Sequence, residues 1–300
     1  MQSVRALLVD AFTDEPLAGN AAGVVPAADD LSAAQMQAIA GELGASETAF
    51  LHRSDSADRR VRYFTPSTEV DLCGHATIAS HAFLREDGTI GDGAYTLATN
   101  VGVLDIEIGG EWVWMTQNDP EIRTVDLDTE RVADALDIDP AAIADVDLPM
   151  ARSSTGLPFL IVPVTFLSVL GECEPDMAAI ETLCETVDAT GLYAVTFDTL
   201  TADATAHGRM FAPLAGIPED PVTGTASGAV GGYLREFEAI EAEAMAFEQG
   251  HFVDRPGRVA VRVDDSAPRC ERVRVGGRAT IALDGRLSVP ETSENDIVEA

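Results

Sequence analysis

The sequence predicts an α+β protein of two homologous halves, each built around a buried helix wrapped by its own sheet, and three observations carry the prediction. An ordered pair of blocks occurs twice: Arg62-Tyr63-Phe64-Thr65-Pro66 followed by Gly74 to Leu84, and Arg209-Met210-Phe211-Ala212-Pro213 followed by Gly224 to Leu234. The two glycines lie 150 residues apart and the two arginines 147, about half of the 300-residue chain. A long separation with two copies reads as duplicated domains, not as a solenoid. Each copy also ends in a stretch of small and apolar residues with no polar face, as a helix enclosed on all sides requires.

Taken in order, Val4 to Phe12 alternates as a first strand. Leu31 to Leu43 has helical spacing with Gly44 as its stop, and Glu47 to His52 is the next strand. A strand closes at Phe64-x-Pro66 before the helix that starts at Gly74. In the second copy Leu157 to Phe166 is strand-like, a further strand closes at Phe211-x-Pro213, and a helix starts at Gly224. Glu236 to Phe247 reads as an exposed helix. The expected organisation is a first half over residues 1–115, a second half over 116–290 whose last strand returns to the first, and an acidic tail over 291–300.

Composition excludes several classes. The 51 acidic against 19 basic residues give a formal net charge of −32, which argues against nucleic acid as a partner. Every basic residue is arginine. Schiff-base and P-loop chemistry, both of which need lysine, are therefore excluded. So acidic a surface fits a cytoplasmic protein kept soluble in concentrated salt. Cys73, Cys173, Cys184 and Cys270 are widely spaced and read as free thiols. Neither a leader peptide nor a membrane span is expected from the N-terminal run or from the proline-interrupted stretch Leu157 to Leu170.

The two helix N-termini are the candidate sites, because free backbone N–H groups and the helix dipole attract anions such as a substrate carboxylate. Asp71, Cys73 and His75 crowd the first, and Glu219, Asp220 and Thr225 the second. His81, six residues after His75, falls on another helix face. No compact set of ligands is found, so no metal is expected. Gly224 to Gly232 lacks the order of a dinucleotide loop, and small-residue packing explains it.

Several segments together resemble the PhzF-like family of phenazine biosynthesis isomerases. They are Asp10-Ala11-Phe12, Gly19-Asn20, Ser46-Glu47-Thr48, Asp71-Leu72-Cys73-Gly74-His75-Ala76-Thr77, Glu219-Asp220-Pro221-Val222-Thr223-Gly224-Thr225-Ala226 and Glu248-Gln249-Gly250. The resemblance implies a diaminopimelate epimerase-like fold, each half a curled, largely antiparallel sheet around a central helix, with the active site between the halves. It implies Glu47 as acid/base assisted by His75 and Asp220, a ligand held around Gly74, Gly224, Thr225 and Ala226, no cofactor and a homodimer. The substrate class implied is a small unsaturated or cyclic carboxylate like dihydro-hydroxyanthranilate.

Two rival functions follow from the same residues. A cysteine-based racemase or epimerase needs a thiol on each face of the substrate carbon, and Cys73 has no partner between Cys184 and Cys270. A metabolite-binding protein without catalysis is the other, since a fold does not determine a function. By plain offset from the loop glycine, the position matching Glu47 in the second half is Phe197. A single carboxylate that lifts a proton and returns it on the same face favours isomerisation over epimerisation.

Overall fold

A computed structural model of the chain describes residues 3–264 and 272–291, so Cys270 and the expected acidic tail beyond Glu291 lie outside the described residues. The chain divides into two compact units. One holds the residues up to Leu17, Ala21–Val113 and the chain from Arg278; the other holds Ala18–Asn20 and Trp114–Gly277.

In the first unit, Ser3–Ala11 pairs antiparallel with Ala279–Ser288. The strand Asn20–Val25 runs parallel to Glu47–His52, which is antiparallel to Arg59–Phe64. Arg59–Phe64 is flanked further by the short strand Glu69–Val70 and by the parallel strand Gly93–Thr99, whose antiparallel neighbour is Gly102–Gly109. The helix Gly74–Glu86 packs on the strands Ser3–Ala11, Ala279–Ser288 and Glu47–His52. Eight of its residues are buried, among them Thr77, Ser80 and His81, as the polar-free face predicts. A second helix, Ala33–Leu43, covers the other side of the sheet. It starts at a Ser32–Gln35 capping box and ends at Gly44 with φ 66°, and Met36, Ile39 and Ala40 pack it against Phe50 and Phe64. The cap alone contributes about 1 kcal/mol.

The second unit repeats this order of pairings. Pro158–Pro163 runs parallel to Gly191–Thr196, which is antiparallel to Ala206–Ala212. Ala206–Ala212 is flanked by the short strand Ile217–Asp220 and by the parallel strand Ala244–Gln249, whose antiparallel neighbour is Gly257–Val263. The helix Gly224–Glu236 packs on Gly257–Val263, Val273–Gly277 and Ala151–Ser154. Helices Thr129–Leu136 and Met177–Val187 cover the outer face, with Val132, Leu136, Ile180 and Leu183 against Leu160, Val162 and Leu192. Strands covered on both faces explain the unbroken apolar runs, and all of Gly191–Thr196 is buried. The fold is thus the duplicated α+β architecture expected, with parallel pairs among the antiparallel ones in each unit.

The glycines of the second central helix serve close packing. A Cβ on Gly228 would stand 2.0 Å from Oε1 of Gln117, and one on Gly231 would stand 2.7 Å from Val261. One expected element is overturned: Glu236 to Phe247 is not a helix. The central helix stops at Glu236, and Ala244–Gln249 is a strand with Met245, Phe247, Glu248 and Gln249 buried. Alanine and glutamate favour a helix, but pairing on both edges of this strand outweighs a propensity of a few tenths of a kcal/mol per residue.

Candidate active site

The first unit gathers four chemically active side chains at the N-terminus of its central helix. Glu47 is the first residue of a strand whose next four residues are all buried; it pairs with Ala22 on one edge, and from Thr48 onward the strand is paired on the other edge as well. Cys73 is the N-cap of the helix and His75 its second residue. The arrangement places Nε2 of His75 3.5 Å from Oε2 of Glu47, with the two side chains 11% and 18% exposed. Ser46 Oγ lies 3.3 Å from the same nitrogen, and Cys73 Sγ lies 3.4 Å from Nδ1 of His75. No side chain caps this helix, so its first N–H groups face the cluster's end of the helix without a side-chain acceptor.

The reason for expecting no metal, the lack of a compact ligand set, does not hold. A carboxylate oxygen of Glu47, the sulfur of Cys73 and a ring nitrogen of His75 lie within 4.8 Å of one another. Spacing along the chain hid them, because Glu47 belongs to a strand and the other two to the following helix. His81 is elsewhere: it is buried, its Nδ1 stands 2.9 Å from the Thr77 carbonyl, and burial pushes its pKa down to about 4.

In the second unit, Asp220 ends the short strand before the Gly224 helix. Its carboxylate accepts from Asn20 Nδ2 at 2.9 Å and from Thr223 Oγ1 at 2.5 Å. Gln249 fixes the turn, its Oε1 accepting from the Thr223 N–H at 3.0 Å and its Nε2 donating to the Asp220 carbonyl at 2.7 Å. Gly224 and Ala226 are buried, which leaves their backbone as what they can offer, whereas Thr225 is half-buried. The helix again has no side-chain cap. Ser46, Asn20 and Gln249 were named above only as parts of motifs. Their roles are to hold His75 and Asp220 in place, and uncharged side chains give no titratable signal by which a sequence would single them out.

Register fixes which residues correspond between the units. Thr48 pairs with Phe64 and Leu192 with Phe211, the phenylalanines of the repeated block, so the counterpart of Glu47 is Gly191 and not Phe197. The plain offset failed because the connection between this strand and the helix is six residues longer in the second unit. A Cβ on Gly191 would stand 2.6 Å from the Phe211 carbonyl oxygen, so any side chain there would force the backbone to shift. Thr223 stands at the N-cap where the first unit has Cys73. What the units share is the scaffold: Arg62 grips Glu69 and Arg209 grips Glu219, each by two hydrogen bonds of 2.6–2.9 Å.

A family model described as phenazine biosynthesis-like protein matches residues 9–285. The uncharacterized isomerase YfhB of Bacillus subtilis is 35% identical, with 97% of this chain and 98% of YfhB covered. A crystal structure of a Bacillus anthracis phenazine biosynthesis protein of the PhzF family superposes with a TM-score of 0.90 at 35% identity, covering 96% of this chain and all of the other. A hydroxyproline epimerase from Agrobacterium vitis, at 11% identity and a TM-score of 0.59 over 96% of this chain and 91% of its own, shares the fold alone.

Proposed function

The chain belongs to the phenazine biosynthesis-like family and is an isomerase, and from that premise we propose that it moves a proton between two carbons of a small unsaturated or cyclic carboxylate, without a cofactor. Glu47 is the acid/base. Its carboxylate takes a proton from a carbon next to an unsaturated system, the C–H electron pair enters the conjugated system, and the carboxyl, exchanging with solvent, delivers a proton to another carbon on the same face. His75, 3.5 Å away, positions the carboxylate. Uncapped N–H groups at the Gly74 helix suit the substrate carboxylate. Asp220, with Gly224, Thr225 and Ala226, is proposed to assist binding and catalysis.

The observation that carries this reading is the unequal pair Glu47 and Gly191. Epimerisation needs a second base on the opposite face, and neither Gly191 nor Thr223 can supply a carboxylate or a thiol. Contact between Cys73 and His75 at 3.4 Å favours the rival in which a thiol acts as base. The test is incubation with a panel of unsaturated cyclic carboxylates, dihydro-hydroxyanthranilate-like compounds first, in heavy water. A positional isomer with retained facial selectivity supports the proposal. An inverted stereocentre supports the epimerase, and a bound but unexchanged ligand supports a binder.

The setting is proposed to be a salt-rich cytoplasm, with the protein a homodimer. The net charge of −32 underlies the saline setting, since self-repulsion at low ionic strength is screened over about 3 Å at molar salt, and the family resemblance alone suggests the dimer. Among the described residues no helix is long and apolar enough to cross a membrane. A thermal midpoint unmoved by molar salt would contradict the saline setting, and a monomer in light scattering would contradict the dimer.

A further inference from the structure

Glu47, Cys73 and His75 present a carboxylate, a thiol and an imidazole, the three donor types that zinc takes from proteins. Nε2 of His75 is 3.5 Å from the carboxylate and 3.9 Å from the sulfur, and all three donors lie within 4.8 Å. A tetrahedral ion with bonds of about 2.0–2.3 Å has edges of about 3.3–3.7 Å between its ligands. Two of the separations are therefore already close to what the ion needs, and rotation of the Cys73 and Glu47 side chains supplies the rest. The 51 acidic residues make chance carboxylate pairs easy, yet among the described residues no other three His, Cys, Asp or Glu donors are drawn so close.

Charge and rigidity point the same way. A thiolate and a carboxylate neutralise a divalent ion while the imidazole stays neutral, and a site of low exposure favours that balance. The donors stand on the end of a strand buried on both faces and on the first turn of a buried helix, so the frame is preorganised. Three protein ligands leave a fourth position open.

We propose that Glu47, Cys73 and His75 form a binding site for a thiophilic divalent cation of the zinc class, which closes this site by occupying the acid/base. Binding forms a metal–sulfur bond as the Cys73 S–H bond breaks, its proton passing to solvent, while Glu47 and His75 each donate a lone pair. The inhibition rests on the reading of Glu47 as acid/base; the binding does not.

The test titrates the full chain, stripped with a chelator, with zinc and with cobalt(II). One tight equivalent above a background of weak binding is expected, and the cobalt adduct should show a sulfur-to-cobalt charge-transfer band. Cys73→Ser should abolish the band and weaken zinc by about 100-fold, and His75→Gln should weaken it by at least about 10-fold. Matched thermal midpoints show that both variants fold. Loss of the band in Cys73→Ser separates this site from the other thiols, of which burial pushes Cys173 up to about 11 and Cys184 up to about 12. A cobalt adduct without the band, or zinc affinity unchanged in Cys73→Ser, overturns the proposal. Failure of every substrate to exchange leaves the cobalt result intact, so the two readings fail separately. Where exchange is found, zinc should stop it and a chelator should restore it; exchange at full rate in the zinc-loaded protein overturns the inhibition.

Discussion

Gly191 stands at the strand register in the second unit that Glu47 holds in the first, and the Phe211 carbonyl lies 2.6 Å from where its Cβ would be. The two units therefore share a scaffold but differ in the residue at this register. Gly191→Ala should destabilise the protein by about 1–3 kcal/mol, because backbone must shift to admit even a methyl group. A urea midpoint equal to that of the parent chain would show that the strand can yield there, and the argument for a single base would weaken.

The duplicated arginine clamps differ in burial. Arg209 and Glu219 are 8% and 12% exposed, and Arg209 also donates to the carbonyls of Leu170 and Cys173. Arg62 and Glu69 are 24% and 30% exposed. Arg209→Met should cost about 3–5 kcal/mol by leaving Glu219 buried without its partner, and Arg62→Met about 1 kcal/mol or less. Equal losses in chemical denaturation would contradict this ranking.

Stability should fall with acid before the paired carboxylates titrate. Burial holds His81 and His207 near a pKa of about 4, against about 6.5 in the unfolded chain. Below about pH 6.5 the unfolded state binds protons that the native state refuses, so stability is full above that pH and is lost as pH falls toward about 4, by about 1.4 kcal/mol per pH unit for each group. His81→Gln should shallow that slope. An unchanged slope, measured as urea midpoints across the window, would show that His81 titrates normally.

The sequence carried the duplication, both central helices, the helix that stops at Gly44 and the strand of Glu47, because each is written in local pattern: a repeated block, small apolar residues, helical spacing and a glycine stop. It misread Glu236 to Phe247, where strand pairing with distant residues decided the outcome. Glu47 and His75 were visible as candidates, but not the proximity of Cys73 to Glu47, nor the hold of Asn20 and Gln249 on the Asp220 turn. Those are contacts across many residues between groups that no spacing rule connects. The counterpart of Glu47 was misplaced at Phe197 for the same reason: register, not chain offset, sets equivalence.

The central claim is that one carboxylate, Glu47, carries the proton. Deuterium uptake at a substrate carbon, followed by NMR in heavy water for the parent chain, Glu47→Gln and Cys73→Ser at matched thermal stability, tests it most directly. Glu47→Gln keeps shape and hydrogen-bonding capacity but removes the titrating group, so uptake should fall by about 10²–10⁴-fold with KM little changed, while Cys73→Ser should retain most of it. Uptake that persists in Glu47→Gln and disappears in Cys73→Ser would contradict the account and assign the proton to the thiol.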